Sequence, residues 1–312
     1  MIVTFTANST IDLTVYIPAL LPDATIRATK AVVSLGGKPT DCSFILGEMG
    51  IPSLALGFIA GTTGERVISL LEPKGVTTGF VQVEGETRTN IVIVPEDNTG
   101  ATTITTTTMS VTPEQLEAGI QVLQSALGRA SVLVTGGTLP FGLQPDFYQR
   151  MIRMAKSANV PVIFDAAQQN LEAGLEASPD FVKPNRDELS GLVGFTVRTL
   201  NEAYRAGRYI VDKFGTQPII TLGGDGALAV LRDRAIYAHA LPVTVVSAAG
   251  AGDAMLAGIA ASIEQGLTLE DGMRLGTAAA AAVCLQPGTA QCNREDIERF
   301  LTQVVIEPYT PA

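Results

Sequence analysis

Tryptophan is absent from this chain of 312 residues, histidine occurs once, and the three cysteines stand far apart with no Cys-x-x-Cys pair. Each shortage closes off a chemistry. One histidine, His239, supplies neither a histidine metal cluster nor the material for a serine–histidine–aspartate triad. It lies in the apolar run 235–246 and is expected to serve structure. The spacing of Cys42, Cys284 and Cys292 argues against a disulfide framework or a zinc site. Cys42 and Cys284 sit among apolar residues and are expected to pack there. Aromatic residues are only 5 % of the chain, so a core must come from Ala, Val, Leu and Ile, which suits helices packed closely on a parallel sheet. No apolar run has the length of a bilayer span; the alanine-rich stretch 277–285 is too short. The N-terminus leads straight into the strand-like Ile2-Val3-Thr4-Phe5-Thr6 without the pattern of a secretory signal, and the expectation is a cytoplasmic protein. Basic residues are the scarce charge, 21 Lys and Arg against 31 Asp and Glu, a net of −10. That balance makes nucleic acid or an anionic membrane a poor partner. A few local Lys or Arg side chains still suffice to hold an anionic small molecule.

What is present is an alternation of strand-like and helix-like segments. The pattern predicts strands at 2–6, 53–58, 131–135, 160–165, 181–183 and 218–222. It predicts helices at 39–49, 64–71, 114–127, 146–158, from 186, at 202–214, 253–265 and 269–285. Such an order argues for a parallel sheet covered on both faces. Two stretches, about 11–35 and 87–108, break the rhythm with period-two alternation, which marks half-buried antiparallel strands. Within the second, 89–95 and 101–108 are joined by the turn-like Glu96-Asp97-Asn98-Thr99-Gly100, and the threonines at 105–108 suit an exposed strand. A small antiparallel sheet assembled from the two insertions is expected to cover a site or form a dimer contact.

The strongest chemical signal is Ser247-Ala248-Ala249-Gly250-Ala251-Gly252-Asp253, read as a β-rich segment at Val245 and Val246 that turns into a helix beginning at Asp253. Small residues let backbone amides approach an anion, and the helix start adds partial positive charge. A carboxylate at the rim of such a turn is placed to take a proton from an attacking hydroxyl while the amides hold a transferring phosphoryl group. Alone, the same residues also read as an ordinary Asp cap after a glycine loop. The turn is not a Walker A loop, since no Gly-Lys-Ser/Thr follows.

In order along the chain, five further segments accompany it. They are Asn8-Ser9-Thr10-Ile11-Asp12, Gly85-Glu86-Thr87-Arg88-Thr89-Asn90, Gly136-Gly137-Thr138-Leu139-Pro140, Lys183-Pro184-Asn185-Arg186-Asp187-Glu188-Leu189 and Thr221-Leu222-Gly223-Gly224-Asp225-Gly226-Ala227. With Gly250-Ala251-Gly252-Asp253 they resemble the ribokinase/PfkB family of carbohydrate kinases over essentially the whole chain. The likeness is greatest to the branch containing 1-phosphofructokinase, the minor 6-phosphofructokinase and tagatose-6-phosphate kinase. The resemblance implies a single ribokinase-like α/β domain over residues 1–312. It would be a three-layer α/β/α sandwich on a parallel sheet, with a small antiparallel β lid. It implies Asp253 as general base and Gly250, Ala251 and Gly252 as the anion hole. It implies ATP contacts from Lys183, Asn185, Thr221, Gly223 and Gly226. Magnesium would be ordered by Asn185 and Glu188 through water. Asp12, Gly37, Lys38, Asp41 and Arg88 would bind the acceptor. It further implies a homodimer through the lid and a potassium site near Ser247 and Gly288. The residue types agree with this. Asn185 and Glu188, three apart, share a helix face and offer hard oxygens.

The chain departs from the family at Gly36-Gly37-Lys38-Pro39-Thr40-Asp41. Pro39 stands for a helix-opening glycine and removes an amide donor, though proline is well tolerated at a helix start. Asp41 stands for an asparagine; an ionised Asp only accepts hydrogen bonds and adds negative charge. The threonine run and Asp165-Ala166-Ala167-Gln168 are further departures. All lie toward the acceptor side. The reading is therefore an ATP-dependent kinase of a hexose phosphate such as fructose 1- or 6-phosphate or tagatose 6-phosphate. The alternatives are a kinase for an unphosphorylated sugar or nucleoside, or a non-catalytic sugar or nucleotide sensor. A dehydrogenase ranks lower, because no GxGxxG follows the first strand.

Overall fold

The computed structural model describes residues 1–97 and 100–311. The main sheet is built from β1 (Ile2–Thr6), β4 (Ser53–Ile59), β5 (Thr77–Gln82), β8 (Val132–Gly136), β9 (Val162–Asp165), β10 (Phe181–Val182), β11 (Gln217–Thr221), β12 (Ala227–Val230), β13 (Ala235–Ala238) and β14 (Ile306–Tyr309). Their order is β14-β13-β12-β11-β10-β9-β8-β1-β4-β5. From β5 to β11 every neighbouring pair is parallel. The edge from β11 to β14 is antiparallel, so the expected parallel sheet carries an antiparallel extension. The central strands β1 and β8 are buried throughout, as a sheet covered on both faces requires.

One face is covered by α3 (Pro113–Leu127), α4 (Asp146–Ser157), α5 (Gln168–Leu175), α6 (Arg186–Val193) and α7 (Leu200–Phe214), with Val3, Phe5 and Leu133 turned into that core. The other is covered by α1 (Lys38–Glu48), α2 (Gly61–Leu71), α8 (Ala251–Glu264), α9 (Leu269–Cys284) and α10 (Arg294–Leu301), with Ile2, Val132 and Val134 turned into it. This is the expected three-layer α/β/α arrangement. Among the described residues no helix is long and apolar enough to cross a membrane.

A second sheet, in the order β3-β2-β6-β7, is formed by β2 (Thr10–Ile17), β3 (Lys30–Gly36), β6 (Arg88–Pro95) and β7 (Thr102–Ile104). Both insertions contribute to it as expected. Its outer pairs are antiparallel, but β2 and β6 run parallel, with Thr10 opposite Arg88 and Asp12 opposite Asn90. The strand expected over 101–108 is confined to β7, and Thr108 instead turns inward to donate to Asn8 Oδ1 at 2.5 Å. The expected turn at 96–100 includes Asn98 and Thr99, which lie outside the described residues.

Two other expectations are corrected. Val245 and Val246 form no strand; they are exposed, and the Val246 amide is tied to the carbonyl of Cys284 at 2.8 Å. The helix begins at Ala251, two residues before Asp253, capped by Gly250 in the left-handed region at φ 86°. His239 follows β13 half-exposed, with Nε2 2.9 Å from Glu307. Strands β5, β12, β13 and β14 and helices α5 and α10 are not among the elements expected from the sequence.

Helices α8 and α9 cross at near backbone contact. A Cβ added to Gly258 would stand 2.2 Å from the amide nitrogen of Gly276 and 2.5 Å from the carbonyl of Gly272. No side chain larger than hydrogen fits without moving α9. Gly258→Ala is therefore expected to destabilise the fold by ~1–3 kcal/mol, read as a lowered denaturation midpoint; an unchanged midpoint would contradict this packing.

Candidate active site

The parallel strands end along one edge, and the predicted site residues gather there, the usual ligand edge of an open sheet. Thr6 ends β1, Gly136 ends β8 and Asp165 ends β9, while Lys183 follows β10 and Thr221 ends β11. Between this edge and the second sheet lies a cleft of about 370 Å³. Asp12, Gly37, Lys38, Asp41, Arg88, Glu188 and Asp253 all line it, as do Asn8, Asn90, Thr138 and Thr289.

At its floor the Asp165 carboxylate is buried between two ammonium groups. Lys38 Nζ is 2.5 Å from Oδ1 and Lys183 Nζ is 2.9 Å from Oδ2. Burial works against the Asp165 charge, but the two lysines outweigh it and hold the carboxyl below its ordinary value. Lys38 also reaches Glu188 Oε1 at 3.2 Å. Its burial is outweighed in turn by Asp165 and Glu188, which keep it firmly charged. Lys183 presses against the turn at the start of α8: a Cβ on Gly252 would lie 3.1 Å from its Nζ. The lysine and the glycine turn thus face the same volume, suited to an anion. Within the turn the Ala251 amide donates to the Ala248 carbonyl at 3.2 Å and the Asp253 amide to the Gly250 carbonyl at 3.0 Å. Gly250 is required by its positive φ and by Ala290, whose amide nitrogen a Cβ would approach to 2.4 Å.

Asp253, at the third position of α8, has its carboxyl pushed up to about 7. Burial is the main cause and the Asp165 charge adds to it; Lys183, Lys38 and a hydrogen bond with Asp41 oppose it. Asp41 is buried against Asp253 from α1 and is pushed well above the ordinary range, chiefly by burial, then by Asp253 and Asp12. Proline at the start of α1 leaves the helix intact, as expected.

On the second sheet, Asp12 accepts from Asn90 Nδ2 at 3.0 Å and from Thr289 Oγ1 at 2.8 Å. Arg88 donates from Nε to Thr10 at 2.7 Å and from Nη2 to Thr138 at 2.9 Å. Its guanidinium is thereby stretched over the cleft toward the β8 edge.

Asn185 and Glu188 form a reciprocal capping box at the start of α6: Asn185 Oδ1 accepts from the Glu188 amide and Glu188 Oε2 from the Asn185 amide, both at 2.9 Å. With Oε1 turned to Lys38, the pair retains lone pairs for water but is no bare-metal cage. Among the described residues no cluster of three or more His, Cys, Asp or Glu side chains suits a metal. The donor set therefore fits a hydrated magnesium ordered through its waters. Thr221 is bridged to Asn185, and Gly223 and Gly226 form the turn that follows; these three stand beside the cleft and do not line it. Ser247 Oγ donates to the Gly288 carbonyl at 2.8 Å.

The roles of Asp165 and Thr289 escape the sequence reading. Asp165 appears there only inside a departing segment, and no motif marks Thr289, which follows α9.

The folded Asp253 carboxyl at about 7, against 3.8 ordinarily, binds a proton that the unfolded chain has released. Stability is thus lost as pH rises from about 4 through 7. Asp253→Asn removes that cost. Its denaturation free energy relative to the parent is expected to rise between pH 4 and pH 8 by on the order of 4 kcal/mol. A pH-independent difference would contradict the raised value.

Comparison with known proteins identifies the family. Residues 3–296 match the pfkB family carbohydrate kinases. The chain is 29 % identical over 307 residues to 1-phosphofructokinase of Bacillus subtilis (strain 168), covering 98 % of each. It is 30 % identical over 308 residues to ATP-dependent 6-phosphofructokinase isozyme 2 of Mycobacterium tuberculosis (strain CDC 1551 / Oshkosh), covering 98 % of this chain and 90 % of the other. Among solved structures it is similar to phosphofructokinase-2 from Escherichia coli in complex with potassium, with a TM-score of 0.88 and 26 % identity over 97 % of this chain and 98 % of the other.

Proposed function

Because the chain belongs to the pfkB family of carbohydrate kinases, we propose that it transfers the γ-phosphoryl group of ATP to a hydroxyl of a hexose phosphate. Fructose 1- or 6-phosphate and tagatose 6-phosphate are the acceptors in view. The observation that carries this is the buried Asp253 carboxyl at the foot of α8, open to the cleft that Arg88 spans, with Lys183 against the neighbouring Gly252 turn.

The roles follow from the chemistry. The acceptor oxygen bonds to the γ-phosphorus as the bond from phosphorus to the β,γ-bridging oxygen breaks; the hydroxyl proton passes to Asp253 and ADP leaves. A carboxyl at about 7 suits a base that must both take and release a proton near neutrality. Lys38 and Lys183, fixed by Asp165, supply positive charge where it develops, together with the amides of Gly250 and Gly252, while the Ala251 amide is held by the Ala248 carbonyl. Asp12 and Asn90 hold sugar hydroxyls, while Arg88 engages the phosphate already on the acceptor. Lys183, Asn185, Thr221, Gly223 and Gly226 bound the nucleotide side. Magnesium held by Asn185 and Glu188 through water would neutralise charge between the phosphates. Ser247 and the Gly288 carbonyl offer neutral oxygens that suit potassium, beside the loop leading to Gly250. The lid sheet, with β7 exposed at its edge, is the surface for a homodimer. Dependence on ATP fits a cytoplasmic enzyme.

In an ADP-release assay over a sugar panel, Asp253→Asn is expected to lower kcat by about 10²–10⁴-fold. Full turnover in that variant would remove Asp253 as base, and no turnover by the parent with any sugar would favour a sensor. Arg88→Ala is expected to raise KM for phosphorylated hexoses while sparing unphosphorylated sugars. An equal loss on both classes would count against a phosphate contact.

A further inference from the structure

Asp41 is an acceptor-side residue whose surroundings do not match an ionised carboxylate. It lies in the first turn of α1 at 2 % exposure, where α1 packs against α8. Its Oδ1 is buried with no amide, hydroxyl or ammonium donor in reach among the described residues. The group within hydrogen-bonding range is the Asp253 carboxyl, also an acceptor when ionised. Two ionised carboxylates face to face repel each other unless a proton lies between them.

The surrounding charges decide which oxygen keeps that proton. Asp253 faces Lys38 from α1, Lys183 from the end of β10 and Asp165 from the end of β9. Asp41 faces Asp253 from α8 and Asp12 from β2, and both raise it further beyond the effect of burial. The thiol of Cys42, pushed up by burial and by both carboxyls, stays neutral beside them. Negative charge is therefore stabilised on Asp253 and opposed on Asp41.

We propose that Asp41 and Asp253 hold one proton between them at working pH, with Asp41 as the neutral acid that donates a hydrogen bond to the Asp253 carboxylate. Asp41 is then a positioning residue for the base. It presents to Asp253 what an asparagine amide would, a neutral donor of the same shape. Its negative charge is withheld from the acceptor. When Asp253 takes the acceptor's proton, the pair holds two, and one must return to water before the next turnover. The catalytic meaning of the pair rests on the kinase reading; the shared proton does not.

The test is infrared difference spectroscopy on the full chain without substrates, following the C=O stretch of protonated carboxyls and its shift in D₂O. In the parent, titration from pH 5 to 8 is expected to remove one such band near 7 and to leave a second. That second band is expected to be missing in Asp41→Asn and retained in Asp253→Asn. A parent with no protonated carboxyl at pH 8 would overturn the proposal, as would a band at pH 8 lost in Asp253→Asn but kept in Asp41→Asn. Even if a variant fails to fold, a parent with no protonated carboxyl left at pH 8 overturns the proposal. No turnover is needed, so failure here is separable from failure of the kinase reading.

The pH profile of kcat/KM provides the catalytic readout. The parent is expected to fall away at alkaline pH as Asp41 ionises, and Asp41→Asn to lose that limb while its acid limb stays in place. An acid limb displaced downward by a unit or more in Asp41→Asn, about tenfold in relative activity on that side, would mean that Asp41 is charged in the parent and would overturn the proposal.

Discussion

The site depends on one buried carboxylate. Asp165 ends β9 at the centre of the sheet edge and is gripped by Lys38 from α1 and Lys183 from beyond β10. Removing Asp165 would leave the buried Lys183 ammonium without its ion-pair partner. The triad fixes how α1 meets the sheet, where Lys183 stands against Gly252 and, through Lys38, how Glu188 is turned. Charges that would otherwise be a liability become a rigid frame. A phosphoryl group entering it meets positive charge that needs no rearrangement to receive it.

The same frame explains why Asp253 and Asp41 differ although both are buried carboxyls packed together. Their surroundings separate them: the lysines favour charge on Asp253, while burial and neighbouring carboxyls oppose it on Asp41, much as environment separates paired carboxyls in other hydroxyl-activating sites. Read from the sequence, Asp41 adds negative charge to the acceptor side. In the folded protein it has a partner, and the departure from asparagine is a change of atoms with little change of electrostatic role.

Much of this could be read before folding. β1, β8 and α7 follow from apolar runs and clear caps, and the Asp253 turn with Asn185 and Glu188 identifies the family. Local pattern fails where structure is decided by distant partners. The parallel pairing of β2 with β6 joins segments far apart in sequence, and alternation within each strand says nothing about direction. Val245 and Val246 are β-branched yet exposed, because the chain there is committed to the approach to Gly250. Asp165 looks like any strand-end acid until three strand ends and a helix converge on it. Thr289 gains its role only because the turn after α9 comes to rest on β2 and β3, bonding Asp12 and Ser34.

The register of the second sheet has a consequence for acceptor choice. Thr10, Asp12, Arg88 and Asn90 share one face, locked by the pairing of Thr10 with Arg88 and of Asp12 with Asn90. Sliding one strand by a single residue would turn either Arg88 or Asp12 away from the cleft. The smallest shift that keeps both is two residues, about 6.7 Å. The span between the group that holds hydroxyls and the group that holds charge is therefore a ruler with coarse graduations. Small changes in preferred acceptor have to come from side chains, and a change of acceptor length comes only in steps.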